Sequence, residues 1–189
     1  MNSVRRLLIR RLLIGALLCM PSFSVLADEF IQRRADVGLK LFRTFVTADL
    51  DIESKAQEDQ LLVILTYAND ASTAQEHQQK LQSTFTSLNN IPVIVRAANI
   101  QQILKQTNPK PAALFISQPL NDDERKTLVN YSITQGVIIF SPYEGDVEQG
   151  ILAGISVQAT VRPLINMHTL QKGKFHIKPF YLKVAKHHE

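Results

Sequence analysis

Apolar residues follow two rhythms along this chain. Between Asp28 and Ala48, the residues Phe30, Ile31, Val37, Leu41, Phe42 and Phe45 recur near one face, which predicts a helix. Asp49 to Gln60 is polar and acidic and reads as a loop. Four short, continuous apolar runs follow: Leu61–Leu65, Ile91–Val95, Ala112–Ile116 and Val137–Phe140. Each is too short for a helix and does not alternate. That is the pattern of strands buried on both faces of a parallel sheet.

Helix start signals separate these runs. Thr73-x-x-Glu76, Asn99-x-x-Gln102 and Asn121-x-x-Glu124 each place a capping oxygen three residues before an acid or amide. The third is the clearest. Asp122 and Asp123 suit the positive end of the helix dipole, and Gly136 supplies a stop. Strand–helix alternation at this spacing predicts right-handed crossovers in one α/β domain. A fifth strand is expected over Ile155 to Arg162, where Ile155, Val157, Ala159 and Val161 share one face. Its alternation suits an edge or antiparallel strand. The loop of about ten residues before it is too short for an ordinary parallel crossover. No turn dipeptide divides Gly154 from Pro163, so one continuous strand is predicted, with Pro163 ending its pairing or marking a bulge. A helix carrying Leu182-Lys183-Val184-Ala185 closes the chain. The expected architecture is therefore a single α/β domain. A mostly parallel sheet of about five strands is flanked by helices, and an alternating, antiparallel or edge strand and a helix end it.

The N-terminus changes how charge and cysteine content are read. Arg5, Arg6, Arg10 and Arg11 precede a short apolar core, Leu12 to Met20, and Val25-Leu26-Ala27 offers small residues for cleavage before Asp28. This predicts a secretory signal peptide over residues 1–27 and a periplasmic domain over 28–189. Those four arginines account for the whole formal charge of +4, so residues 28–189 are neutral. The pI near 9.3 belongs to the precursor, and no nucleic-acid partner is expected. Cys19, the single cysteine, also lies in the leader, which leaves the exported domain without a disulfide to make. Roughly 160 residues remain, enough for one core.

The search for chemistry finds no catalytic set. G-x-S-x-G and H-E-x-x-H are absent from the sequence. Gly145-Asp-Val-Glu-Gln-Gly150 has the glycine spacing of a phosphate loop, yet Ile151 and Leu152 stand where Lys and Ser/Thr belong, and its acids would repel phosphate. His168, His176, His187 and His188 show no recognised ligand spacing, and the last two fall at a terminus where fraying is usual. No enzyme activity, cofactor or metal is expected. The loop from Tyr143 to Gly150 follows the end of the fourth strand, where open α/β sheets present binding residues. Ser141, Tyr143, Glu144, Asp146 and Glu148 are the candidate partner- or ligand-binding residues, with one aromatic ring and three solvated carboxylates offered to a partner. The competing reading is a plain solvated connection. Apolar surfaces on the first helix (Phe42, Phe45) and the last (Phe180, Tyr181, Leu182, Val184) are expected mainly to pack on the sheet.

The order of signals after Phe140 is informative. A buried strand ending at Ser141, the glycine-flanked acidic loop, an alternating strand, the pair Ile165-Asn166 and a Leu-x-x-Ala helix at Leu182–Ala185 succeed one another. In this order the chain resembles the YfiR-like family of small periplasmic proteins, and the similarity extends more weakly back to about Asp36. The resemblance implies a hairpin in the region of the fifth strand. It also implies a regulatory function: binding and repressing the periplasmic part of an inner-membrane signalling protein, a diguanylate cyclase or sensor kinase, and so controlling cyclic-di-GMP output and biofilm behaviour. The cysteine pairs of some members are missing here, so no redox-sensing role carries over. A small-ligand solute-binding protein of a transport system is the alternative, and a homodimer is among the assemblies the sequence allows.

Overall fold

The computed structural model describes residues 22–105 and 108–189, with side chains from residue 29. The basic residues and apolar core of the expected signal peptide lie outside the described residues. Two units are distinguished, Met1–Arg33 and Arg34–Glu189. In the first, the described part is the opening of helix α1 (Ser22–Ala48), where Arg33 pairs with Glu29 one turn earlier. The second holds the remainder of α1 and the sheet.

The four apolar runs become strands β1 (Leu61–Tyr67), β3 (Ile91–Asn99), β4 (Ala113–Ile116) and β5 (Ile138–Ser141), all mutually parallel in the order β3-β1-β4-β5. A two-residue strand, β2 (Ser87–Leu88), pairs antiparallel with the start of β3. β4 and β5 are buried at every position and β1 at all but Tyr67, as continuous apolar runs require. β3 departs from the pattern, with only Val93 and Val95 buried, because it lies next to the sheet edge.

The intervening helices are α2 (Ser72–Thr84), α3 (Ile100–Lys105) and α4 (Asp122–Gln135). The capping box predicted at Asn121 and Glu124 is present in both directions, and Gly136 closes α4 at φ 65°. The cap expected at Thr73 is not used. α2 begins one residue earlier, and the Asp70 carboxylate instead accepts the Ser72 backbone N–H at 3.0 Å. Phe42 of α1 packs 5.3 Å from Phe115 of β4, and His77 of α2 meets that ring edge-on, so α1 and α2 share one face of the sheet. Right-handed crossovers place α3 and α4, which pack on each other, on the other face.

The C-terminal third corrects the sequence reading. The expected single strand is a hairpin, β6 (Ala153–Val157) and β7 (Val161–Asn166), turning at Gln158–Thr160. β6 runs parallel to β5 although no helix lies between them. It starts level with Phe140, close to the end of β5, so the chain has no strand length to retrace and a compact loop suffices. β7 supplies the expected antiparallel pairing. After it come α5 (Met167–Lys172), α6 (Pro179–Val184) and a final strand, β8 (Lys186–His188), paired parallel with β7. His187 and His188 are therefore strand residues and not a frayed end. The full order among the described residues is β2-β3-β1-β4-β5-β6-β7-β8, eight strands where about five were expected.

Aromatic rings hold α1 on the sheet. Phe42 and Phe45 are fully buried, 5.8 and 6.1 Å from Phe140, and Phe45 also lies 5.5 Å from Tyr181 of α6. Each such burial is worth about 1.5–3 kcal/mol. No described helix is long and apolar enough to cross a membrane.

Candidate functional site

Two places at the carboxyl ends of the strands could bind something. One is the topological switch point between β1 and β4, the usual crevice of an open α/β sheet. There the Gln118 amide accepts the backbone N–H of Ala68 at 3.1 Å and donates to the Asp70 carbonyl, so this side chain spans the crevice. The other is the loop after β5.

That loop is built around a buried ion pair. Arg125 projects from α4 with its guanidinium spent on four acceptors: Nε donates to Asp146 Oδ1 at 2.8 Å, one terminal nitrogen to Asp122 Oδ1 at 2.7 Å and Gln149 Oε1 at 2.8 Å, and the other to the Leu120 carbonyl at 2.9 Å. Burial opposes the charge on Arg125, but the Asp146 and Asp122 carboxylates more than offset it and its pKa is raised. Asp146 is 2 % exposed. Its second oxygen accepts the Ser141 hydroxyl at 2.5 Å. The Ser141 oxygen in turn accepts the Tyr143 backbone N–H at 3.1 Å. The Tyr143 phenol donates to the Ser117 carbonyl at 2.7 Å. Burial, with the Asp146 charge added, pushes that phenol well above the usual range and keeps it a neutral donor.

The far side of the loop is fastened too. Asn166, at the end of β7, donates to the Val147 carbonyl at 2.7 Å and accepts the Thr169 backbone N–H at 2.8 Å, which caps α5. Thr169 donates to the Gly150 carbonyl at 2.8 Å. At Gly154 a Cβ would lie 2.6 Å from both the Ser141 carbonyl oxygen and Val147, so only glycine lets β6 approach the loop this closely.

The candidate residues therefore divide. Ser141, Tyr143 and Asp146 are internal struts, and Asp146 is not the solvated carboxylate that its place in a polar loop predicted. The correction has a plain cause: Arg125 reaches it and takes it out of water. Glu144 and Glu148 are exposed. Beside them lies a crevice of about 140 Å³, lined also by Tyr143, Val157, Gln158 and Lys186. Arg34 forms its base, donating to the Pro142 carbonyl and to the Ile155 carbonyl at 3.1 Å, which ties loop to hairpin. At the hairpin tip Val157 and Val161 pair across the strands and stand 44 % and 47 % exposed. The crevice is below the ~300 Å³ lower end of small-molecule pockets. It has the size of a notch for one side chain.

Sequence reasoning missed Arg125, Gln149, Arg34 and the valine tip. Arg125, Gln149 and Arg34 are tied to the loop by partners distant in sequence, and the two valines, read as one face of a single strand, became a tip only when the chain turned between them. Asn166 was visible only as half of the Ile-Asn pair.

A larger groove, about 840 Å³, runs between α1 and α2. Its polar groups are largely committed. Lys80 pairs with Asp36 at 2.9 Å and Glu76 at 2.8 Å, the Arg43 guanidinium lies over the Phe85 ring, and Thr44, Ser83 and Thr84 bond carbonyls of their own helices. Among the described residues no cluster of His, Cys, Asp and Glu could hold a metal ion. His176 instead lies 2.8 Å from Asp51, and His187 2.9 Å from the Leu182 carbonyl.

No family model matches the chain, and no curated protein matches it. Among solved structures, it is similar to the ABC domain in complex with L-Trp from Streptococcus pneumonia, at 14 % identity and a TM-score of 0.46. The similarity covers 76 % of this chain and 60 % of that one, so the chain spans less than two thirds of that neighbour's length.

Proposed function

We propose that this chain is a non-catalytic, exported regulatory protein that binds another protein through the loop–hairpin surface. The resemblance to YfiR-like proteins names the partner class: the periplasmic part of an inner-membrane signalling protein such as a diguanylate cyclase, held repressed. One observation carries the binding surface. The buried Asp146–Arg125 pair holds the loop rigid, so Glu144 and Glu148 stand preorganised beside the exposed valine tip. A rigid surface loses little entropy on binding. Its mix of two carboxylates and two exposed valines suits a protein face with a basic residue among apolar ones. Gln118 spans the switch-point crevice where a solute would otherwise sit, which favours protein binding over solute binding.

The test is capture of the inner-membrane partner from detergent-solubilised membranes. The Glu144→Ala/Glu148→Ala/Val157→Ser variant should fold normally, recover less partner than the unmodified protein and raise signalling output in cells. Equal recovery by both proteins would remove this surface from consideration.

A further inference from the structure

The groove between α1 and α2 shares no lining residue with the loop–hairpin notch. At about 840 Å³ it falls within the ~300–1,000 Å³ of small-molecule pockets. It follows α1 from Asp36 to Thr47, about three turns. Leu39 of α1 and Leu81 of α2, both core residues, form its floor. Four hydroxyls line it, and each is turned back on its own helix. Thr44 donates to the Lys40 carbonyl at 3.2 Å and Thr47 to the Thr44 carbonyl at 2.7 Å. Ser83 donates to the Lys80 carbonyl at 2.8 Å and Thr84 to the Leu81 carbonyl at 3.3 Å. A hydroxyl has one proton to donate, so these four have none left for the groove.

Charge in the groove is uneven. The Lys80 ammonium is shared by Asp36 and Glu76, and its bond to Asp36 ties α2 to α1 at one end. Lys40 and Arg43 remain. No ion pair among the described residues includes either of them. Arg43 is nonetheless held in place, its guanidinium carbon 5.6 Å from the centre of the buried Phe85 ring. Stacking on a ring covers the face of a guanidinium and leaves its N–H edge open. That edge is the one that meets a carboxylate with two parallel bonds. Lys40 lies three residues earlier, a neighbouring position on the same side of α1, and adds a second positive charge.

An apolar floor, spent hydroxyls and two unpaired cations on one wall describe a site for an anion with an apolar body. We propose that this groove binds a small amphipathic carboxylate, its charged end on Arg43 and Lys40 and its hydrocarbon along Leu39 and Leu81. A cation of the same shape would be repelled by the α1 wall. An anion without an apolar body would gain nothing from the floor. The site goes beyond the protein-binding surface proposed above and does not depend on it.

Titration calorimetry of the purified protein with sodium decanoate, kept below its micelle concentration, tests this. One saturable site is expected. Decyltrimethylammonium has the same chain and the opposite charge, and acetate has the charge without the chain. Each should bind on the order of tenfold more weakly, or not at all. Lys40→Gln/Arg43→Gln should weaken decanoate on the order of tenfold. Ser83→Trp, which puts a ring into the groove, should weaken it too. All three positions are exposed, so the core is untouched, and circular dichroism checks the fold. No saturable decanoate binding, equal affinity for decyltrimethylammonium, or unchanged decanoate affinity in either groove variant would overturn the proposal. If the double variant does not fold, Lys40→Gln alone takes its place: weakened binding supports the site and unchanged binding refutes it.

Discussion

Asp146 and Arg125, 21 residues apart, meet in a buried ion pair in which the arginine Nε donates to the carboxylate at 2.8 Å. One side chain comes from the loop and the other from α4, so the pair fixes how that loop leaves the sheet. Replacing Asp146 by Ala would leave a buried guanidinium short of its main partner and the Ser141 hydroxyl without its acceptor. The expected cost is about 3 kcal/mol. Glu144→Ala and Glu148→Ala, on the exposed side of the same loop, should each stay within about 0.5 kcal/mol. Urea titration of the three variants measures the contrast. A cost for Asp146→Ala as small as for its neighbours would mean the pair does not hold the loop.

His77 predicts an acid-sensitive stability. Its ring is fully buried, 5.6 Å from Phe115, and neither ring nitrogen has a hydrogen-bond partner among the described residues. Burial first, then the Lys80 charge, pushes its pKa below the ordinary histidine value, while Glu76 and Asp36 pull the other way. The unfolded chain therefore binds a proton that the folded chain refuses. This contribution to stability is complete above pH ~6.5 and falls as the pH drops below it, by up to about 1.4 kcal/mol per unit. Thermal melts between pH 7.5 and 5 should show a loss that His77→Leu reduces. The same pH dependence in both proteins would assign the loss to other groups.

Export and redox behaviour make a joint prediction. Cell fractionation should find a chain beginning at Asp28 in the periplasm. Because Cys19 is the single cysteine, the melting temperature of that chain should not move on adding a thiol reductant. The intact precursor held stably in the inner membrane, or a reductant-dependent melt, would contradict this reading.

Much of the fold was legible because its signals are local. The continuous apolar runs at 61–65, 112–116 and 137–140 can only be satisfied by burial on both faces. The Asn121–Glu124 box and Gly136 mark the ends of α4 by chemistry that needs no distant partner. The hairpin was not legible, because its turn at Gln158–Thr160 has no Gly, Asn or Asp to announce it. β8 was hidden for a similar reason: three polar residues pair with β7 only because that strand is already there.

The candidate site divides along the same line. Residue types alone determined that an acidic, glycine-flanked loop follows a buried strand, and that the chain after residue 27 is neutral and free of cysteine. Tertiary structure decided which carboxylates face water. Glu144, Asp146 and Glu148 are alike in sequence, yet Arg125 of α4 removes one of them into the interior and leaves two outside. It also decided how the sheet ends at β3, where Gln78 and Gln82 are ordinary polar helix residues until the register of β3 puts backbone groups beneath them. The physical reason is common to both. Burial and hydrogen-bond pairing are relations between distant segments, and a local pattern states only what each segment needs, not which other segment will supply it.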